Sequence, residues 1–281
     1  MVRKFGLINE KGEEYSFMDI DKYCLLIDPD GLGITYDTSY ERIGINFVEN
    51  LRQLDQGKIT GTAVFSNYKN YRKLINFIED SDHLRFHYVV PDVGEYYRDV
   101  LIAEISKSEI KPDGFLQETI TFDCISLWYA INEANYIIKA GENEIRWDFR
   151  WDSRFISYSA RNLVVVNNGH TPASIQLSID GEVVNPKIEL SVEGTKVQEI
   201  PFTCTINEHE KFQYSSKDGD SYVRKQNADG TYTSLFNLSV LEFNNNNVLK
   251  LPKGKSCELA VTADDDIASA TLQVFIYFKS V

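Results

Sequence analysis

The sequence predicts a mainly β protein with one principal helix, divided into two domains. Three observations carry that reading. They are a lone amphipathic stretch over Ser66–Asp80, period-two alternation of apolar and polar residues in most other segments, and Asp-Gly pairs that punctuate the chain as turns. At roughly 150 residues per domain, 281 residues make about two domains, and 43% hydrophobic residues supply each with a core.

The helix comes first in the argument. Tyr68, Tyr71, Leu74, Ile75 and Ile78 recur at three-and-four spacing and share a face, Lys69, Arg72, Lys73 and Asn76 lie elsewhere, and Ser66 or Asn67 can cap the start. Tyr68, Tyr71, Leu74 and Ile78 are the residues expected to pack this helix on its own sheet. A lone helix among strands implies α packed on β.

The strands follow from alternation. Leu84–Val90 alternates from its start, and in Leu116–Trp128 the residues Ile120 and Phe122 are opposed by Thr119, Thr121 and Asp123. Ile175, Leu177 and Ile179 alternate with Ser174, Gln176 and Ser178; Asp180-Gly181 then turns the chain toward Val183-Val184 and Ile188–Val192, a hairpin or meander signature. Ala270–Phe278 is apolar on both faces and reads as an inner strand that closes a sandwich. The Asp-Gly pairs at Asp30, Asp113, Asp180, Asp218 and Asp229 mark tight turns, because Gly tolerates positive φ and Asp bonds locally. The character changes between about 130 and 160, which places the domain join near Ala140: residues 1–138 form a domain of strands plus the helix, and 139–281 an all-β sandwich. Asn244–Asn247 and Asp264–Asp266 read as loops.

A formal charge of −13, from 42 acidic and 29 basic residues, argues against adhesion to phosphate backbones, which requires clustered Lys and Arg. No run approaches the roughly 18 apolar residues needed to cross a bilayer, and the N-terminus lacks the apolar core of a signal peptide. The expectation is a chain made in the cytoplasm that engages no membrane. Cys24, Cys124, Cys204 and Cys257 are far apart in sequence, form no C-x-x-C pair and read as reduced, mostly buried thiols.

Candidate chemistry is sparse. Asp28-Pro29-Asp30-Gly31 opens like a calcium loop but lacks the remaining ligand positions and the terminal Glu, so it reads as a turn. Glu208-His209-Glu210 lacks the paired histidines of a zinc protease; of the four histidines, only His83 and His87 share a segment, and they read as neighbours on one exposed strand face. The carboxylates show no pair that sequence can set across a cleft. No catalytic residue, metal or cofactor is assigned. Trp147, Phe149 and Trp151 fall on one side of a period-two run and read first as a core or inter-subunit wall and second as a flat platform for sugars. Asn237-Leu238-Ser239 fits a glycosylation sequon, which is irrelevant in a cytoplasmic chain.

Several marks in order resemble the distal tail protein of siphoviruses that infect Gram-positive bacteria. These are Gly31-Leu32-Gly33-Ile34 after a strand, Tyr68 and Tyr71 opening the lone helix, Tyr96–Val100, Leu127-Trp128-Tyr129, Asn168-Gly169 before an alternating strand, and Gly181 with Asn185-Pro186 leading into Ile188. The resemblance implies an N-terminal domain that forms a homo-hexameric ring and a C-terminal galectin-like β-sandwich. It implies a structural baseplate hub at the virion tail tip, without enzymatic activity. Its partners would be the tail tube protein above and the tail-associated protein below, with receptor-binding proteins on the outer domains and DNA only passing through the channel. Strand edges are expected to make the ring, and six copies would carry a formal charge near −78 (6 × −13), which suits an acidic channel wall. The other class is a carbohydrate-binding protein that recognises host cell-wall polysaccharide through the C-terminal sandwich.

Overall fold

The computed structural model describes residues 3–136, 162–236, 248–264 and 269–281. The chain divides into two units, Met1–Ala130 with Tyr277–Val281, and Ile131–Ile276. The join expected near Ala140 lies outside the described residues.

The front unit holds strands β1 (Lys4–Asn9), β2 (Glu14–Ser16), β3 (Leu25–Asp30), β4 (Tyr36–Ile43), β5 (Asn46–Leu54) and β6 (Lys58–Phe65), then helix α1 (Tyr68–Glu79). It continues through β7 (Leu84–Val90), β8 (Gly94–Ile105), β9 (Leu116–Cys124) and the start of β10 (Trp128–Tyr136). Antiparallel pairing gives the order β2-β1-β7-β8-β9-β6-β3. A bridge between Met18 and Leu25, reinforced by the Leu26 N–H donating to the Phe17 carbonyl at 3.0 Å, brings this run round on itself. Closing a sheet in this way satisfies the backbone groups that its edges would otherwise expose.

Alternation fills the interior of the closed sheet. Leu84, Phe86 and Tyr88 of β7 face inward and so do Leu116, Ile120, Phe122 and Cys124 of β9, while their neighbours face outward. The core is aromatic: Phe86 meets Phe122 edge-on at 5.4 Å, and Phe5 stacks on Tyr88 at 5.0 Å. Glu118 also points inward and is buried. Its carboxylate accepts from the Ser106 hydroxyl at 2.9 Å and from the Ser108 amide at 2.6 Å, which pins the chain between β8 and β9. A buried carboxylate without such donors would cost several kcal/mol.

Helix α1, the one helix among the described residues, starts on Asn67, whose side chain accepts from the Asn70 N–H. Leu74 is fully buried, Tyr71 packs edge-on against Phe65 at 5.5 Å, and Ile78 and Phe77 are partly buried against the core. Tyr68 departs from the expected packing face: it is 40% exposed and donates its hydroxyl to Glu109 at 2.5 Å. Asn70 takes the inner position in the first turn instead, because its amide can donate to the Ile20 and Asp21 carbonyls that the helix covers.

The rear unit holds β11 (Asn162–Val166), β12 (Ala173–Asp180), β13 (Val183–Val184), β14 (Lys187–Val192), β15 (Thr195–Pro201) and β16 (Thr205–Ile206). It ends with β17 (Lys211–Lys217), β18 (Asp220–Gln226), β19 (Tyr232–Ser234), β20 (Lys250–Leu251), β21 (Ser256–Thr262) and β22 (Ser269–Phe278), whose last two residues belong to the front unit. One sheet runs β19-β18-β17-β12-β22, a second runs β11-β21-β14-β15, and β13 pairs β16. Ile175, Leu177, Phe212 and Leu272 are buried on the first, Ile188, Leu190 and Leu259 on the second, and Phe202, just past β15, packs on Phe212 of β17 at 5.0 Å. The architecture is therefore mainly β with one principal helix, as the sequence predicts. The chain turns after β12 through Gly181 at φ 101°, but the hairpin or meander expected there does not form: β12 pairs β17, β20 and β22, whereas β13 pairs β16 and β14 pairs β15 and β21 in the other sheet. Gly31, Gly114, Gly219 and Gly230, which follow the other Asp residues of the pairs, also have positive φ.

The four cysteines are free, with Cys24, Cys124 and Cys257 buried. Burial pushes the Cys24 thiol up to about 12.

Truncating Phe86 to Ala removes a ring that touches Phe5, Phe17, Phe122 and Trp128. It should cost about 3–5 kcal/mol, read as a lowered denaturation midpoint with unchanged m-value.

Candidate assembly surface

Among the described residues, strands β4 and β5 pair only with each other. Their register runs from Tyr36 opposite Leu54 to Ile43 opposite Asn46, with a bulge between Ser39 and Tyr40 and a turn through Gly44 at φ 65°. At about 3.4 Å per residue the nine residues of β5 reach roughly 30 Å. Directly opposed residues share a face. One face carries Ile43, Val48 and Leu51, the other Tyr40 and Phe47, so neither side is a purely solvated one. Exposure reaches 61% at Ile43, 71% at Phe47 and 90% at Ile45 in the turn.

An isolated two-stranded ribbon in water is marginally stable, and among the described residues this one leaves large apolar side chains and both backbone edges uncovered. Such a surface marks an interaction site. Polar contacts within the ribbon are few and local: the Arg42 Nε donates to the Gly44 carbonyl, and the Arg52 guanidinium lies 4.4 Å over the Tyr36 ring.

The root of the ribbon is built far more tightly than its tip. Before β4, Asp28 and Gly31 take positive φ, and a Cβ on Gly31 would collide with the Lys58 carbonyl oxygen. The next residue, Leu32, accepts at its carbonyl from the indole Nε1 of the fully buried Trp128 at 3.2 Å. After β5, the Asp55 N–H donates to the Thr35 carbonyl, and Gly57 gives the Arg98 guanidinium the space a side chain would take. Arg98 is itself buried; it lies 5.5 Å over the Trp128 ring and its Nε donates to the Ser126 carbonyl at 3.0 Å, while burial lowers its pKa. Beside it, Asp99 accepts from the Tyr129 hydroxyl at 2.7 Å and faces the His83 Nε2 at 3.2 Å. Burial, then the Asp99 charge, raises the Tyr129 phenol far above its ordinary value.

The other residues singled out from sequence are dispersed. Trp147, Phe149 and Trp151 lie outside the described residues. His87 stacks on Tyr97 at 5.0 Å with its Nδ1 3.3 Å from Glu14, and His209 is exposed beside Glu210, which pairs with Lys225. Among the described residues no group of three His, Cys, Asp or Glu side chains could hold a metal, and no helix is long and apolar enough to cross a membrane. Sequence reasoning missed Asn70, Arg98, Glu118 and the ribbon; the signals available were a polar residue at a helical core position, Tyr96–Val100 itself, and apolar residues spread over both faces of paired strands.

A family profile described as distal tail protein, N-terminal domain, matches residues 4–125. The chain is similar to a chain of the phage P2 baseplate solved in its activated conformation with calcium, at 14% identity and a TM-score of 0.68 over 100% of both chains; the strontium form gives the same values. It is also similar to the phage SPP1 Dit protein, described as a paradigm of hub adsorption apparatus in Gram-positive infecting phages, at 12% identity and a TM-score of 0.52 over 96% of this chain and 98% of that one. These structural likenesses establish the fold. The curated proteins give no sequence match.

Replacing Gly31 with Ala forces a collision at the ribbon root and a strained φ, and should cost on the order of 2 kcal/mol or more. Gly44→Ala in the ribbon turn meets no neighbouring atom and should cost about 1 kcal/mol from φ alone. Paired chemical-denaturation curves distinguish the two.

Proposed function

Residues 4–125 match the profile of a distal tail protein N-terminal domain, and on that basis we propose that the chain is a baseplate hub at a phage tail tip. In this reading six copies form a ring that joins the tail tube to the tip and serves as an attachment platform for tail-associated and receptor-binding proteins, the rear unit being a galectin-like bracket.

The observation that carries the ring is the β4–β5 ribbon. The closed front sheet offers little unpaired edge of its own, so the expectation that its strand edges make the ring shifts to the ribbon, which holds the uncovered backbone and apolar side chains together. A projecting arm that seats on a different surface of the next copy makes a heterologous contact, and such contacts close into rings when the rotation permits. Covering Phe47 and Ile45 contributes about 1.5–3 kcal/mol each per contact, repeated around the ring. The fold likeness to hub and baseplate chains supports the same reading. A negative surface on a central channel would let DNA pass without adhering, in keeping with a formal charge of −13 per copy.

The test is mass and shape. Light scattering after size exclusion, alone and with the tail tube protein co-expressed, should give six times 32.2 kDa, about 193 kDa, and negative-stain images should show rings with a central opening. The double variant Ile45→Asp/Phe47→Asp should fall to a single copy, weakening assembly at least 100-fold, with a thermal midpoint within a few degrees of wild type because both positions are exposed. A wild-type chain that stays single even with the tube protein, or a ring that the double variant leaves intact, overturns the proposal.

A further inference from the structure

Helix α1 carries its charges against its own dipole. An α-helix is positive at its N-terminus and negative at its C-terminus, so acidic side chains suit the first turn and basic ones the last. Here the first turn has no acidic residue and the last has no basic one. Lys69 stands in the first turn, Arg72 and Lys73 follow, and Glu79 ends the helix with Asp80 as its C-cap. Lys69 also faces Arg72 and Lys73 at i, i+3 and i, i+4 spacing, where like charges repel. Asn70 and Leu74 anchor the helix from its buried side, so packing does not call for cations at these three exposed positions.

Neighbouring chain enlarges both poles. Lys73 donates to the Lys22 carbonyl at 2.8 Å, which brings the exposed Lys22 alongside it. Among the described residues, none of Lys22, Lys69, Arg72 and Lys73 forms an ion pair. In the turn before them the Asp19 carboxylate accepts from the Asp21 and Lys22 amides at 3.1 Å. At the other end the β1–β2 turn rises beside the C-cap. Lys11 Nζ donates to the Asp80 carbonyl at 3.4 Å, and the Glu10 carboxylate accepts from the Asp82 and His83 amides at 3.1 and 3.2 Å. Glu10, Glu79, Asp80 and Asp82, all exposed, thus form an acidic pole that Lys11, 3.9 Å from Glu10, offsets in part.

At 1.5 Å per residue, Lys69 and Arg72 lie roughly 12–16 Å from Asp80 along the axis. That exceeds the screening length of about 8 Å at physiological ionic strength, so the two poles do little for each other within one copy. Brought into contact between copies, they would. A nucleic acid could occupy the basic face but would leave the acidic pole unmatched. We infer that the acidic pole of one copy (Glu10, Glu79, Asp80 and Asp82) seats against the basic face of the next (Lys22, Lys69, Arg72 and Lys73). This contact deepens the ring reading and rests on its premise that copies meet head to tail. The ribbon supplies the apolar anchors, and the helix poles set the direction in which one copy follows another and speed their encounter.

The test treats an equal mixture of unlabelled and heavy-nitrogen-labelled full chains, alone and with the tail tube protein, with a carbodiimide, which joins an amine directly to a carboxylate. Mass spectrometry should find mixed-label peptides that link Lys22, Lys69 or Lys73 to Glu10, Glu79, Asp80 or Asp82. Lys69→Glu/Arg72→Glu and Glu79→Lys/Asp80→Lys should each weaken assembly about tenfold or more. Both changes agree with the helix dipole, so the dilute single chains should melt no lower than wild type, which separates a lost contact from lost stability. The chain with all four substitutions should regain assembly, because its poles are exchanged. Mixed-label links in pairs of chains that never close would remove the ring and keep this contact. Rings without such links, or rings that both double variants leave intact, overturn the inference and keep the ring. A chain that stays single and unlinked, with or without the tube protein, overturns both.

Discussion

The indole N–H of Trp128 donates to the Leu32 carbonyl from a fully buried position, and so ties the start of β10 to the segment from which the ribbon departs. Much of the front unit is organised around that bond. Trp128 also borders Phe86 and Tyr88 in the core and carries the Arg98 guanidinium over its ring, so one side chain links the packing of the closed sheet to the direction of its arm. A buried polar donor must find an acceptor, and here the acceptor is main chain that would otherwise be a mobile connection. The root is rigid because the core itself holds it.

This arrangement explains why separate stretches of sequence carry one resemblance. Gly31–Ile34, Tyr96–Val100 and Leu127–Tyr129 are distant in the chain, yet the structure gathers Leu32, Arg98, Asp99, Trp128 and Tyr129 into one cluster of hydrogen bonds and ring contacts. Each short stretch is ordinary by itself. Their order is meaningful because each supplies a different part of the same joint.

Much of the fold was legible for local reasons. Asp-Gly turns need positive φ wherever they occur, strand alternation follows from the pleat, and the helix announces itself through Asn67 and the spacing of Tyr71, Leu74 and Ile78. What was misread or missed depends on contacts that sequence does not display. Tyr68 shares the helical period but turns outward to donate to Glu109, while Asn70 takes the inner position by bonding the carbonyls of Ile20 and Asp21. Glu118 alternates with Ile120 and Phe122 and is inward despite its charge, because Ser106 and Ser108 from the preceding connection reach it. The ribbon was illegible because its residues have an ordinary strand composition; among the described residues no third strand joins it, which leaves Phe47 and Ile45 exposed.

Because both covalent connections of the ribbon enter the front unit at the same place, near Thr35 and Asp55, the arm behaves as a detachable attachment of adjustable length. Adding or deleting residues in opposed couples near Gly44 would shift the reach by roughly 7 Å per two-residue step on each strand without disturbing the pairing of the closed sheet. Descendants of this chain can thus change how far the arm extends through indels at one hairpin tip, while the hydrophobic interior remains under its own, independent selection.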